Sequence, residues 1–380
     1  MNLDNPFIRY RHLLGSYRNA IERGTSDGEF VDLVQRLDDA VAKVEGHGFA
    51  ITPFEASAEL GAQLGLATDL WVKDDTGNVG QSHKARHLFG LALHLEVDQV
   101  GDDVPLAIAS CGNAALAAGV VANAVGRGLD VFVPTWADAE ILDRLAGLGA
   151  RVHPSERRAS EEGDPAYLRF KEAVGAGAYP FSVQGTDAPQ TLDGGKTMGW
   201  EIGEQLSQAS AELDQVFIQV GGGALASSTM AGIADARDEG WIDQVPALFP
   251  VQAEACAPLA RAWRELVADT AGLSHDEILD RARAGGYMRP WDEPHSAATG
   301  ILDDITYDWL TIVDALLRFG GEPVVASEES IVKAHELARS TGATVSPTGS
   351  AGLAGLLTHL ADGAASSGTD RIAVLFTGQN

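Results

Sequence analysis

Short apolar runs alternate with longer Ala- and Leu-rich stretches along most of this chain, and that alternation limits its fold more than any other feature. The runs that read as strands are LWVKD at 70–74, LAIAS at 106–110, DVFVP at 130–134, QVFIQV at 215–220, LFPVQA at 248–253 and IAVLFT at 372–377. Segments between them, such as NAALAAGVVANAVGRG (113–128) and DAEILDRLAGLG (138–149), are helical by propensity. A strand followed by a crossover helix pairs in parallel with the next strand, so the expected class is α/β with mostly parallel sheets covered by helices. At 380 residues the chain is too long for one small core, which implies two domains or one large one. Charge-dense 155–165 and small, polar 362–370 read as surface loops. Residues 258–300 carry arginine, acid and tryptophan with weak periodicity and suggest no more than helices over a sheet.

Charge narrows the partners. Acids outnumber bases by 54 to 27, a net charge of −27, which repels phosphate backbones and anionic bilayers. Neither a nucleic acid nor a membrane is therefore expected as a partner. A small anionic ligand remains compatible, because a local glycine-rich loop binds phosphate whatever the global field. The two cysteines, Cys111 and Cys256, stand far apart in no metal-like spacing, as in a reducing compartment. The first residues lack the apolar core of a signal peptide, and no apolar run approaches the roughly 20 residues that cross a bilayer. A cytoplasmic protein is expected, with no bound metal; scattered acids such as Glu254 give a metal no support.

In open parallel sheets, ligands gather at the carboxyl ends of strands. Three such ends stand out. LAIAS runs into Ser110-Cys111-Gly112-Asn113 and then a helix, whose first N–H groups suit a carboxylate; Asn113 acting only as a helix cap is the plain alternative. QVFIQV runs into Gly221-Gly222-Gly223 and a small-residue helix. Successive glycines let N–H groups converge on a phosphate, although neither the P-loop nor the dinucleotide spacing is present, and a merely tight turn is the alternative. The last run delivers Thr377 and Gly378 to its end, a weak signal alone. Away from these, VKDDTGNVGQSHKARHLFG (72–90) sets Lys84 at the mouth of a helix behind a polar turn. A lysine in a partly desolvated pocket can lose its proton and attack a carbonyl. A lysine, a phosphate cradle and a partner for a ring nitrogen are the parts that pyridoxal phosphate needs.

The chain resembles the fold-type II pyridoxal-phosphate enzymes, the tryptophan synthase β-like group that includes threonine synthase, serine/threonine dehydratases and cysteine synthase. The resemblance covers roughly residues 50–380. TPFEASAELGAQLGLATDLWVKDD is similar to the family's opening segment, and GQSHKARHLFG to its S-F-K-x-R-G motif, with His83 in the aromatic place. SCGNAALAAG resembles the S-x-G-N loop, VGGGALASS the phosphate loop with Ala224 in the fourth place, TVSPTGSAGLAGLL the E-P-S-G-A segment and FTGQN the S/T-G-G-N ending. The resemblance implies Lys84 as the Schiff-base lysine and Asn113 near the cofactor's ring oxygen. It assigns Ser110, Cys111, Gly112 and Asn113 to the substrate carboxylate, Gly221, Gly222, Gly223 and Ala224 to the phosphate, and Thr377 to the ring nitrogen. It also implies two open twisted-sheet α/β domains with the cofactor in the cleft between them, and a homodimer. Residues 1–85 and 190–380 would form the large cofactor-binding domain, with 86–189 as the smaller inserted domain carrying the carboxylate loop.

The subfamily signals conflict. Ala114 stands where dehydratases commonly have histidine, and NPFIRYRHLL is similar to the W-R-Y-R opening of threonine synthases. The triple glycine leans towards dehydratases, as does DGGKTMGWEI, with Lys196 replacing a glycine. A hydroxyl at Thr377 cannot keep the ring nitrogen protonated, so prompt β-elimination fits better than transamination. The leading expectation is an ammonia-lyase acting on a small hydroxy or substituted amino acid; a threonine-synthase-like or β-replacing transferase is the alternative, and a non-catalytic binder of cofactor or amino acid the third. His83 and His87 read as packing or cofactor-stacking groups, or as proton shuttles; Arg86 as an anion contact or a structural ion pair.

Overall fold

A computed structural model describes residues 2–159, 161–363 and 370–379 of the chain. Most of the polar loop expected at 362–370 lies outside the described residues, as does Asn380 of the FTGQN ending. The strands are β1 (Phe54–Ser57), β2 (Leu70–Asp74), β3 (Leu106–Ala109), β4 (Leu129–Pro134), β5 (Arg151–Ser155), β6 (Tyr179–Pro180), β7 (Gln215–Gln219), β8 (Ala247–Ala253), β9 (Val324–Ala326) and β10 (Ile372–Phe376). All six runs read from the sequence are strands. The four others, β1, β5, β6 and β9, lie at sheet edges, where short or mixed-polarity segments leave no apolar run to read.

The chain divides into two compact units, 1–51 with 78–197 and 52–77 with 198–380. The expected division, 1–85 with 190–380 against 86–189, differs from this at the start of the chain, at 78–85 and at 190–197. The first unit shows why. Phe7 and Phe49 both pack on Phe89, with ring centroids 4.6 and 4.7 Å away, and the helix Asp27–Glu45 packs on Asn113–Ala124. The opening helices thus share a core with the helix that starts at Lys84.

In the first unit β5-β4-β3-β6 form an all-parallel sheet. The helix Lys84–Val97 is buried at nearly every position after the first, so it is a core helix rather than an amphipathic surface one. It approaches the helix Thr191–Ala209 closely: a Cβ on Gly90 would lie 2.6 Å from the Gly194 Cα. Glycine at both positions permits the approach.

In the second unit the order is β1-β2-β10-β7-β8-β9, parallel except for the edge pair β1–β2. The last strand of the chain is thereby inserted next to β7. Side chains alternate along the central strands: Val216, Ile218, Ala373 and Leu375 join one core, Phe217, Val374 and Phe376 the other. Burial on both faces makes these strands continuous apolar runs, which is why the sequence reveals them. The segment that resisted placement, 258–300, begins with the helices Pro258–Asp269 and His275–Ala284, of which Leu259, Ala262, Leu266, Leu279 and Ala282 enter the first of these cores.

The helix Ala351–Ala361 covers the other face through glycines. A Cβ on Gly352 would meet the Phe217 carbonyl oxygen at 2.7 Å, and backbone cannot yield as a side-chain end can. Gly352→Ala is therefore expected to destabilise the protein by about 1–3 kcal/mol, read from urea unfolding. An unchanged midpoint would mean that the helix can lift from β7 without loss.

A polar stripe runs along the helix Thr191–Ala209. Asp193, Thr197, Glu201 and Gln205 recur at the four-residue spacing that keeps side chains on one face. Asp193 accepts from the backbone N–H of Gly15 at 2.9 Å and contacts His94 Nε2 at 3.1 Å. In the second unit Lys73 Nζ donates to Glu201 Oε2 (2.6 Å), the Thr52 carbonyl (2.8 Å) and Gln205 Oε1 (3.0 Å). Both charged side chains of that pair are fully buried.

Candidate active site

Four sequence-predicted segments fall into two local groups, one in each unit. In the first unit Lys84 is the opening residue of its helix, half-buried, behind the tight turn Val79–Gln81. Gly80 there has φ +65°, a conformation glycine adopts without strain, and a Cβ on it would touch Ala117 of the helix Asn113–Ala124 at 3.5 Å. The lysine turn and the S-x-G-N loop are thus neighbours within one unit.

The residues around Lys84 are anchored from behind. Arg86 is buried and donates to Thr197 Oγ1 at 3.0 Å, so it serves the packing of two helices. His87 places Nδ1 3.0 Å from the Thr191 carbonyl; a carbonyl only accepts, so Nδ1 carries the proton. The His83 ring packs edge-on against His87 with centroids 5.9 Å apart. Ser82, two residues before the lysine, is 1% exposed, and its hydroxyl has no hydrogen-bond partner among the described residues. A buried hydroxyl left so costs roughly 1–3 kcal/mol, and a polar group bound beside Lys84 would satisfy it. This is the feature that sequence reading missed; its signal was the serine of S-x-K, read only as part of a motif.

At the end of β3, Ser110-Cys111-Gly112 leads into the helix Asn113–Ala124. Asn113 is its first residue, not its cap: Gly112 holds the cap position and makes no side-chain cap bond. A Cβ on Gly112 would meet nothing within 4 Å, so the loop is open at this point. Open space before uncapped helical N–H groups suits a carboxylate. Burial, with the Asp164 carboxylate adding to it, pushes the Cys111 thiol up, so it stays protonated and supplies no nucleophile.

In the second unit the glycine turn follows β7 and Thr377 follows the adjacent β10. Gly223 has φ +104° and caps the fifteen-residue helix Ala224–Asp238 without any side-chain bond, leaving its first-turn N–H groups to an anion. The turn is crowded: a Cβ on Gly221 would lie 2.9 Å from Ile301 Cα, with Asp303 also abutting it, and one on Gly222 would lie 3.2 Å from the Tyr307 ring. The Thr377 side chain is buried, and Gln219 Nε2 donates to its hydroxyl at 2.6 Å. No signal marked Gln219 in the sequence, where it is one polar residue in an apolar strand. The cradle and the hydroxyl both fit pyridoxal phosphate, which needs a phosphate site and a ring-nitrogen partner.

Other polar residues have structural duties. Glu254 accepts from the Glu328 N–H at 2.9 Å. Burial, then Asp303 and Asp304, push the Cys256 thiol up to about 12. Among the described residues no group of three His, Cys, Asp or Glu is arranged to hold a metal, and no helix is long and apolar enough to cross a membrane.

Comparison with known proteins gives three findings. The model of a family described as pyridoxal-phosphate dependent enzyme matches residues 47–378. A threonine synthase of Methanocaldococcus jannaschii is 26% identical over 317 residues, covering 82% of this chain and 70% of its own. The solved structure of the processed form of threonine deaminase isoform 2 from Solanum lycopersicum superposes with a TM-score of 0.68 at 17% identity, over 94% of this chain and 91% of that one, a likeness of fold.

Proposed function

This chain belongs to the pyridoxal-phosphate-dependent enzyme family, and from that premise we propose that it is an amino-acid lyase that eliminates a β-substituent from a small hydroxy or substituted amino acid. The observation that carries the reading is the Thr377 hydroxyl at the end of β10, set by Gln219 as a neutral group. Bound pyridoxal phosphate supplies a ring that takes up electron density released at the α-carbon. A hydroxyl beside its nitrogen, unlike a carboxylate, does not stabilise a protonated ring, so that uptake is limited. Losing a β-substituent promptly needs less of it than a second deprotonation at the β-carbon would.

The chain's own groups divide the work. Lys84 would hold the cofactor through its amine, and the same amine, when free, would be placed to remove the α-proton. Its place at the start of a buried helix, with Arg86 and His87 tied down behind it, limits the positions its amine can reach. Ser110, Cys111, Gly112 and Asn113 would bind the substrate carboxylate at the open start of their helix, and Asn113 would also serve the cofactor. Gly221, Gly222, Gly223 and Ala224 bind the phosphate through backbone N–H groups. Two free cysteines support a reducing, cytoplasmic setting. A homodimer is proposed on the family resemblance alone.

A threonine-synthase-like transferase is the second reading, favoured by Ala114 and by the similarity to the threonine synthase of Methanocaldococcus jannaschii. The test is incubation of the pyridoxal-phosphate-loaded protein with single amino acids, following keto acid and ammonia. Their release from a hydroxy amino acid alone is the expected result. Turnover only with an O-phosphorylated amino acid, releasing phosphate, selects the transferase. Loading without turnover on either leaves a non-catalytic binder.

A further inference from the structure

Gln219 lies 3% exposed at the end of β7, beside Thr377 at the end of β10. Its Nε2 has three partners: the Thr377 hydroxyl at 2.6 Å, the Gly349 carbonyl at 2.8 Å and the Leu375 carbonyl at 3.3 Å. Two of the three are carbonyl oxygens, which cannot donate. The end of the amide that faces them must therefore be the nitrogen, and this chemistry fixes the amide orientation. An amide nitrogen has no lone pair to offer, so towards Thr377 it can only donate. The threonine oxygen accepts, and its own hydrogen is turned to a different acceptor.

The surroundings hold this arrangement in place. The backbone N–H of Thr377 donates to the Gly349 carbonyl at 3.2 Å, so Gly349 ties together the strand end and the amide. Ser346 Oγ accepts from the Gly349 N–H at 3.0 Å and donates to the Gly378 carbonyl at 3.2 Å, closing the turn 346–349 against the residue after Thr377. A Cβ on Gly349 would lie 3.0 Å from the Gly378 nitrogen, so the turn packs that closely only as glycine.

We propose that Gln219 is a positioning residue that biases Thr377 towards donating its hydrogen, so that a pyridine nitrogen seated against Thr377 is favoured as an acceptor and stays unprotonated. The inference rests on the cofactor reading above and deepens it. A hydroxyl can accept weakly from a pyridinium or donate to a neutral pyridine; Gln219 already fills one of its two lone pairs and so favours donation. A residue outside the reacting atoms thereby sets how strong an electron sink the bound ring is.

The test is nitrogen NMR of the holoenzyme loaded with pyridoxal phosphate carrying 15N in the ring. Wild type is expected to show an unprotonated, hydrogen-bonded ring nitrogen across neutral pH. Gln219→Met is expected to move that resonance and to weaken cofactor binding roughly 2- to 10-fold, the worth of one neutral hydrogen bond. Thr377→Ser should keep the response to Gln219→Met. In Thr377→Val the same substitution should add no further shift, because the two residues act through one contact. A protonated nitrogen in the wild type overturns the proposal without any variant, which covers the case in which Gln219→Met does not fold. So does a Gln219→Met shift of equal size with and without the Thr377 hydroxyl, since that marks a purely structural role. Wild type that takes up no pyridoxal phosphate overturns the proposed function itself, and this inference with it.

Discussion

Alanine at position 84 is expected to abolish the visible absorbance of the loaded protein and to lower turnover by roughly 10²- to 10⁴-fold, the range set by loss of a positioned base. The imine that joins a protein amine to the cofactor absorbs at longer wavelength than the free aldehyde, so that band reports the covalent role. Turnover reports the proton-transfer role. Lys84 is half-buried on the first turn of its helix, and the helix gains its hold on the core from residues 85–97. Truncating the lysine should therefore leave the fold, and with it the circular dichroism, unchanged. Non-covalent binding of pyridoxal phosphate should survive, because the phosphate cradle is built from other residues. An unaltered visible band in Lys84→Ala would mean that another lysine carries the cofactor and would sink the assignment.

The second large effect concerns stability. Lys73→Met is expected to cost about 3–5 kcal/mol, because it leaves the fully buried Glu201 carboxylate without its counter-charge. Glu201→Leu should cost a similar amount by leaving the buried ammonium without that carboxylate, beside the neutral Thr52 carbonyl and Gln205. The double replacement is expected to recover most of the loss, since two apolar side chains need no desolvation of charge. Urea unfolding of the four proteins measures the coupling directly. If the single variants are no less stable than the double, the pair adds no coupling and the interior at Lys73 admits water. A protein of this size has only some 5–15 kcal/mol in hand, so the single variants should also express poorly.

Much of the architecture was legible because its central strands are buried on two faces. Runs such as 216–218 and Ile372–Phe376 are apolar at each position because both faces meet helices, and that leaves a readable trace. Edge strands such as Arg151–Ser155 carry exposed and polar positions and leave none. The division into units was harder to read. Residues 1–51 sit with the helix that begins at Lys84 through Phe7, Phe49 and Phe89, three aromatic residues with no shared sequence signal.

The candidate site shows the same split. Lys84, the S-x-G-N loop and the glycine turn were legible because helix starts and close backbone approaches restrict which residue types can stand there. The partners that orient them were not. Gln219 reaches Thr377 over 158 residues of sequence, and Thr197 reaches Arg86 over 111. DGGKTMGWEI was readable as a family segment, yet its Asp193, Thr197 and Glu201 turn out to be ties to His94, Arg86 and Lys73.

By itself the sequence determined the alternation of strand and helix, and with it the α/β class, the family and the residues at the strand ends. These are local properties, written in periodicity, glycine and charge. Only the tertiary structure decided that the last strand lies beside β7, so that Thr377 meets Gln219 and its hydroxyl accepts from it. A hydrogen bond's direction depends on what stands on its far side, and in a folded chain that neighbour comes from anywhere in the sequence.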